Sequence, residues 1–353
     1  MTSITGAPDR AWVEVKLAAL ADNARTVARI SGARLLPMIK ADGYGLGALA
    51  VARALAPLDP WGFGVATNEE AALLRAAHVE HPLVVFSPLH SSHIPAALKY
   101  GVRPVIGDAA ALREWIGVTE APFHIEIDSG MGRSGFRWDD ASGWQTLLRD
   151  ARGCEGIFTH FHSAETDPGA TTVQWERLQA VVTGLPYRPA LIHAANSAAA
   201  LAGREFAGDL VRPGIFLYGG SAGAHRPAPV ARLQARVVAL RTLGPGESVS
   251  YAATWVAQEE AVVATLGIGY ADGVHRSLSN HGVVELGDAV VPVVGRVTMD
   301  FTMVLPAAPC RIGDVATIYG GRVPLDEQAA RAGTISYELL TAIGPRIQRR
   351  YLP

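Results

Sequence analysis

The segment Arg34-Leu-Leu-Pro-Met-Ile-Lys40-Ala-Asp-Gly-Tyr44-Gly-Leu-Gly47 places a single amine where a short apolar run gives way to a glycine-rich turn. A lysine at the end of a strand ordinarily reaches solvent along its flexible stem. Three features point to chemistry instead. Apolar residues crowd Lys40 from the N-terminal side, which disfavours the ammonium and leaves a nucleophilic amine. Gly43, Gly45 and Gly47 allow backbone N–H groups to approach an anion closely. Tyr44 adds a hydroxyl beside that anion. An amine next to a phosphate cradle is the pairing that a pyridoxal 5'-phosphate Schiff base requires.

Further along, His124-Ile-Glu126-Ile-Asp128-Ser-Gly-Met-Gly-Arg133 sets two carboxylates on one face of a strand and an arginine just past a glycine turn. Buried like charges need a cation, and Arg133 is the evident one. It either braces the carboxylates or turns its guanidinium fork to a substrate carboxylate. Phe158-Thr-His160-Phe-His162-Ser-Ala-Glu165 has two histidines and a carboxylate, a spacing that makes a poor metal site without cysteine. Asn196-Ser197 opens an alanine-rich helix, so Asn196 reads as an N-cap while Ser197 can face a phosphate at the helix N-terminus. Val211-Arg212-Pro-Gly214-Ile215 follows another strand, and the N–H groups of Gly214 and Ile215 suit an anion there. Arg212 alone reads equally as a surface ion-pair residue. Tyr251 and Tyr270 fall in a region of alternating strands, where either would pass for a strand aromatic.

The elements that must hold these residues follow a clear rhythm. Short apolar runs at 34–39, 62–66, 83–86, 104–106, 123–127, 156–159, 190–193 and 211–217 alternate with alanine- and leucine-rich helical stretches such as 48–55, 69–77 and 173–182. Eight such strands argue for a (β/α)8 barrel with its polar residues at the strand ends. A doubly wound sheet is the alternative, but no G-x-G-x-x-G follows an early strand. After the glycine- and proline-rich stretch 218–229, β-branched alternation takes over at 233–242, 261–267, 283–286, 290–294, 302–305 and 314–319, with helices expected only at 326–332 and 334–343. The expected organisation is a barrel over residues 1–229 and a mostly β domain over 230–353.

The chain has 353 residues, 31 basic against 33 acidic, and no basic run, which excludes a nucleic-acid or acidic-membrane partner as an expectation. Two cysteines, Cys154 and Cys310, make no disulfide framework. With a polar N-terminus and no apolar stretch long enough to span a bilayer, a cytoplasmic protein is expected.

Lys40-Ala-Asp-Gly-Tyr44-Gly resembles the cofactor-lysine motif of the alanine racemase family, fold-type III pyridoxal phosphate enzymes in which a barrel precedes a β-domain. Asp42-Gly43 departs from the family's usual Asn-Ala. The likeness extends through Asp128-Ser-Gly-Met-Gly-Arg133, the tyrosine pair at 251 and 270, and Gly295-Arg-Val-Thr-Met299-Asp300. It implies that Lys40 carries the cofactor and serves as base for the D-enantiomer, and that Tyr251 of a second subunit serves the L-enantiomer. It implies that Tyr44, His160, Asn196, Ser197, Arg212, Gly214 and Ile215 bind the cofactor, with His160 against the pyridine ring and Arg212 facing its nitrogen. An arginine there keeps its protons, so the nitrogen stays unprotonated. Arg133, Tyr270, Met299 and Asp300 would meet the substrate, the last three from the partner of a homodimer. Many relatives have a carbamylated lysine where this chain has Glu126, whose own carboxylate would orient Arg133. A phosphate-contacting tyrosine of the family falls on Pro345. The first strand, near 11–16, is implied to join the β-domain. A racemase of serine or another amino acid, a fold-type III decarboxylase and a non-catalytic single-barrel cofactor carrier are the competing readings.

Overall fold

The computed structural model describes residues 10–140, 143–149 and 151–353. Eight short parallel strands form a ring in chain order: Arg34–Leu35, Phe63–Val65, Leu83–Pro88, Arg103–Ile106, Phe123–Asp128, Cys154–Phe158, Leu191–His193 and Leu210–Val211. The last pairs with the first, and a bridge between Met38 and Gly64 closes the circle. Leu36, Val84, Val105, Phe158, Leu191 and Leu210 fill the interior as a buried cluster. These strands are buried on both sides, which is why they read as continuous apolar runs.

Two strands are shorter than their apolar runs. Expected over 34–39, the first narrows to Arg34–Leu35 plus the Met38 bridge, because Pro37 has no N–H to give the ladder. The run at 211–217 ends as a strand at Val211. Past Pro213 and Gly214, Ile215–Tyr218 coils into a 3-10 turn. That break aims the backbone of 214 and 215 across the barrel mouth.

The helix Leu17–Ser31 buries Leu20, Ala24 and Val27 on one stripe and stops at Gly32, whose φ of 65° suits glycine. Its Asn23 donates to the Leu217 and Ala228 carbonyls and accepts from the Ala228 N–H, tying the helix to the end of the barrel. Burying each apolar side chain of that stripe contributes about 1.5–3 kcal/mol.

A second sheet stands apart from the ring. Ala11–Lys16 lies between Ala231–Leu243, antiparallel, and Gln348–Leu352, parallel. The long strand Ala231–Leu243 pairs Val315–Tyr319 along its first half and Ala261–Leu266 along its second, with a register shift between Val237 and Ala239. Thr302–Val304 extends the far edge. The helices Leu325–Arg331 and Ser336–Thr341 follow, and the second returns to the barrel mouth. No helix among the described residues is long and apolar enough to cross a membrane.

Candidate active site

A cavity of about 510 Å³ opens at the C-terminal ends of the barrel strands. Lys40 is on its wall, at the start of a tight turn Lys40–Tyr44 in which Ala41, Asp42, Gly43 and Tyr44 all have φ between 51° and 63°. Left-handed backbone at three non-glycine residues is costly, of the order of 1–3 kcal/mol each. Glu70 helps to hold the turn, accepting from the Ala41 and Ala66 N–H groups at 2.7 Å each. Asp42 accepts from Ala48, starting the helix Ala48–Leu55.

The glycines of this turn do not form the expected anion cradle. Their N–H groups close the turn on itself, Gly43 to the Ile39 carbonyl, Gly45 to Ala41 and Gly47 to Asp42. Positive φ at residues 43, 45 and 47 serves the reversal of the chain. The anion-sized recess is across the barrel mouth, where Ser197, Gly214, Ile215 and the Tyr44 hydroxyl meet. A Cβ on Gly214 would fall 2.3 Å from the Tyr44 hydroxyl oxygen, so glycine lets the two approach. The Gly214 N–H, expected to be free, donates to Ser197 Oγ at 2.9 Å. Ser197 therefore keeps its hydroxyl proton for a ligand. Asn196 is the ordinary N-cap, accepting from Ala199.

Arg212 lies wholly buried on the cavity floor. Nη1 donates to His193 Nδ1 at 2.7 Å, and Nη2 is shared among the Thr159 carbonyl, the Ala194 carbonyl and His160 Nδ1. It is thus no surface ion-pair residue. Burial pushes its pKa down to about 9, with Glu126 opposing that and Arg133 adding to it. An arginine there is charged at neutral pH. The same charge, after burial, drives His160 down to about 3, so that ring is neutral. His162 turns away to Ser163, and no group of three or more His, Cys, Asp or Glu among the described residues could hold a metal. Burial first, then Arg133, lowers the Lys40 pKa, while Glu70 pulls the other way. That shift favours the nucleophilic free amine over the ammonium.

Glu126 and Arg133 face the same cavity, but loosely. Their closest approach is 4.0 Å and the Arg133 side chain is 64 % exposed. Glu126 takes its short hydrogen bond from Ser134 instead, at 2.8 Å. Asp128 braces the glycine turn, accepting from the N–H groups of Gly130 and Gly132, and does not hold Arg133.

Tyr251, Tyr270, Met299 and Asp300 are absent from the cavity lining. They gather in neighbouring turns beyond the second sheet, where Ser250 bonds the Arg296 carbonyl and Tyr270 N–H bonds the Thr298 carbonyl. Tyr251, 72 % exposed, tops a 3-10 turn and not a strand. Asp300 pairs with Arg346 at 2.9 Å. Among the cavity residues that the sequence did not single out are Tyr337 and Thr341, from the helix Ser336–Thr341. Tyr337 comes within 6.0 Å of the Tyr44 ring, which is itself stacked on Tyr218. Tyr351, by contrast, bonds the Leu46 carbonyl on the outside of the turn.

Residues 15–222 match the alanine racemase N-terminal domain and residues 230–351 the alanine racemase C-terminal domain. The chain belongs to the alanine racemase family. It is 37 % identical over 350 residues to the alanine racemase of Deinococcus radiodurans, covering 97 % of this chain and 99 % of that one. It is 36 % identical over 344 residues to that of Acidiphilium cryptum, covering 94 % and 96 %. Its fold superimposes on the crystal structure of alanine racemase from E. faecalis with a TM-score of 0.90 at 30 % identity, covering 99 % of this chain and all of that one. The alanine racemase of Bartonella henselae, solved with covalently bound pyridoxal phosphate, gives 0.91 at 28 % identity over 98 % of this chain and all of that one. Family membership accounts for a ring of parallel strands followed by a mostly β region.

Proposed function

We propose that the chain is a pyridoxal 5'-phosphate-dependent alanine racemase, interconverting L- and D-alanine, and works as a homodimer in the cytoplasm. Its parts are then a barrel over residues 1–229 and a β-domain over 230–353, with the strand Ala11–Lys16 crossing into the second. The observation that carries the reading is the charge and shape of one cavity. Two guanidinium groups, Arg133 and Arg212, and the Lys40 amine face one carboxylate, Glu126, around apolar walls from Met38, Phe86 and Phe158. That surplus fits a phosphorylated aromatic ring better than a neutral ligand. Ser197, Ile215 and the Tyr44 hydroxyl would hold the phosphate, His160 would lie against the ring, and Arg212 would donate to the ring nitrogen.

When bound, the cofactor supplies an aldehyde to capture the substrate amine and an electron-poor ring to acidify its α-C–H bond. The remaining work belongs to the chain. Lys40, whose ammonium form burial disfavours, attaches the cofactor and moves a proton on the α-carbon face used by D-alanine. Tyr251 of the partner subunit serves the opposite face. Two bases on two faces permit inversion, whereas a single base would return the proton where it came from. Arg133 takes the substrate carboxylate, and Tyr270, Met299 and Asp300 of the partner subunit close over the substrate. Arg212 retains its protons and limits how much charge the ring nitrogen accepts. That favours brief deprotonation over decarboxylation and transamination.

A panel of amino acids incubated in deuterated water, with stereochemistry and α-deuterium both read, tests the proposal. Alanine should racemise fastest, and Lys40→Ala should lower its turnover by about 10²–10⁴-fold, the usual worth of a general base. Preference for another amino acid, or full turnover by Lys40→Ala, would overturn it.

A further inference from the structure

A row of polar side chains runs through the barrel core from its closed end to Arg212. Arg103 begins one strand and pairs with Glu155 at 3.1 Å. Glu155 lies 3.5 Å from Nε2 of the wholly buried His124. His124 Nδ1 is 2.8 Å from Nε2 of His193, also wholly buried. His193 Nδ1 is 2.7 Å from Arg212 Nη1. The row has dedicated room: a Cβ on Gly156 would come within 2.7 Å of the His124 ring, and Phe158 stacks on His193 at 4.8 Å.

The proton positions along this row follow from its end. A guanidinium only donates, so His193 Nδ1 must accept. His193 then carries its proton on Nε2 and gives it to His124 Nδ1. His124 in turn carries its proton on Nε2, 3.5 Å from the Glu155 carboxylate, a charge contact outside hydrogen-bond geometry. Protonating either ring would set two donors head to head. The His124–His193 and His193–Arg212 links therefore each have one direction, and hydrogen bonds polarised one way beside a carboxylate charge strengthen each other. Arg212 has no carboxylate within hydrogen-bond distance in its own shell. The groups facing the two rings are Arg103, Glu155, Arg212 and each other, with Trp61 and Phe158 as apolar neighbours.

We propose that Glu155 and His124 are positioning residues for the racemase reaction, passing the Glu155 charge through His193 to fix Arg212 as a donor toward the cofactor ring. This rests on the reading of Arg212 given above. Burial, the dominant effect on both rings, favours their neutral forms; Arg212 acts on His193 in the same sense, while Glu155 opposes the shift at His124.

The test is ¹⁵N NMR of the holoenzyme labelled at histidine, with kinetics of Glu155→Gln beside it. In the wild-type protein both rings should be neutral Nε2–H tautomers from about pH 6 to 9. Glu155→Gln keeps the shape and a polar oxygen beside His124 but removes the charge. Its tautomers should persist, its His124 and His193 ring shifts should move, and kcat should fall about three- to tenfold with KM for alanine unchanged. His193 carrying its proton on Nδ1 in the wild-type protein overturns the proposal without any variant. So do unchanged ring shifts with unchanged kcat in Glu155→Gln. A Lys40→Ala enzyme that racemises at the wild-type rate would sink the reading of the cavity while leaving the ring shifts as they are, so the two failures are separable.

Discussion

Glu126→Gln separates what the carboxylate does for the fold from what it does for the substrate. Burial lifts the Glu126 pKa above the usual carboxylate value, while the Ser134 hydrogen bond and then Arg133 and Arg212 pull it back without cancelling the rise. The folded chain thus holds the Glu126 proton to higher pH than the unfolded chain does. Stability from this group declines as pH climbs from the unfolded value to the folded one, and the deficit is complete above that window. Glutamine cannot ionise and still accepts from Ser134. The variant should therefore unfold at a higher temperature than the wild-type protein at pH 8, by on the order of a degree or two, and the gap should close as pH falls below the usual glutamate pKa. The functional loss is small for a separate reason. A pair 4.0 Å long with Arg133 64 % exposed is worth about 0–1 kcal/mol, up to roughly fivefold in kcat/KM. Thermal unfolding of cofactor-free protein across pH, and racemisation kinetics of the holoenzyme, measure both arms. A variant less stable than wild type at pH 8, or a loss beyond about thirtyfold in kcat/KM, would refute the reasoning; the second result would mean that Glu126 grips Arg133 far more tightly than 4.0 Å implies.

Three other outcomes follow from the same geometry. Gly214→Ala forces a methyl to within 2.3 Å of the Tyr44 hydroxyl oxygen, so cofactor affinity read by equilibrium dialysis should weaken by roughly tenfold or more, the effect of about 1–3 kcal/mol of overpacking. Tyr251→Phe should slow both net directions of racemisation by about 10²–10⁴-fold, because a catalyst cannot shift the equilibrium. α-Proton exchange should persist on D-alanine and nearly stop on L-alanine, and equal loss on both would count against two bases. Mixing Lys40→Ala with Tyr251→Phe protein should restore activity when subunits exchange, since one site of each mixed pair has both bases; demonstrated exchange without rescue contradicts a shared site.

The sequence was most informative where chemistry and chain run together. Lys40 and the helix Ala48–Leu55 are adjacent residues, and local spacing was enough to read them. It misled where a residue type permits more than one use. Glycine at 43, 45 and 47 announces positive φ, but composition does not say where the N–H groups point, and here they close the turn. Proline at 37 and 213 has the converse effect: the apolar runs around them look like whole strands, and the missing N–H ends the ladder early. Tyr337 gave no signal, because it meets Tyr44 across nearly the length of the chain. His124 and His193 are one residue on each of two strands, and only the closed ring puts them 2.8 Å apart.

The four residues on the exposed face carry the argument about assembly. Tyr251, Tyr270, Met299 and Asp300 are tied together through their neighbours, the Ser250 hydroxyl donating to the Arg296 carbonyl and the Tyr270 N–H to the Thr298 carbonyl, so the face is built as a unit. Tyr251 stands on a turn where Ser250, Ala252 and Ala253 have φ of 68°, 61° and 46°. Backbone of that kind persists only where the surroundings over-determine it. Yet Tyr251 is 72 % exposed, Met299 53 % and Tyr270 43 %, so within one chain this arrangement presents its side chains to water. The Lys40 cavity, meanwhile, is lined by the barrel and one helix of its own chain and has a cationic surplus, and Tyr251 is not in its lining. Each half has what the other lacks. Under the proposed function a second copy of the chain, related by a two-fold axis, joins them twice over, and that isologous pairing makes the subunit-mixing experiment a test of the mechanism as well as of the dimer.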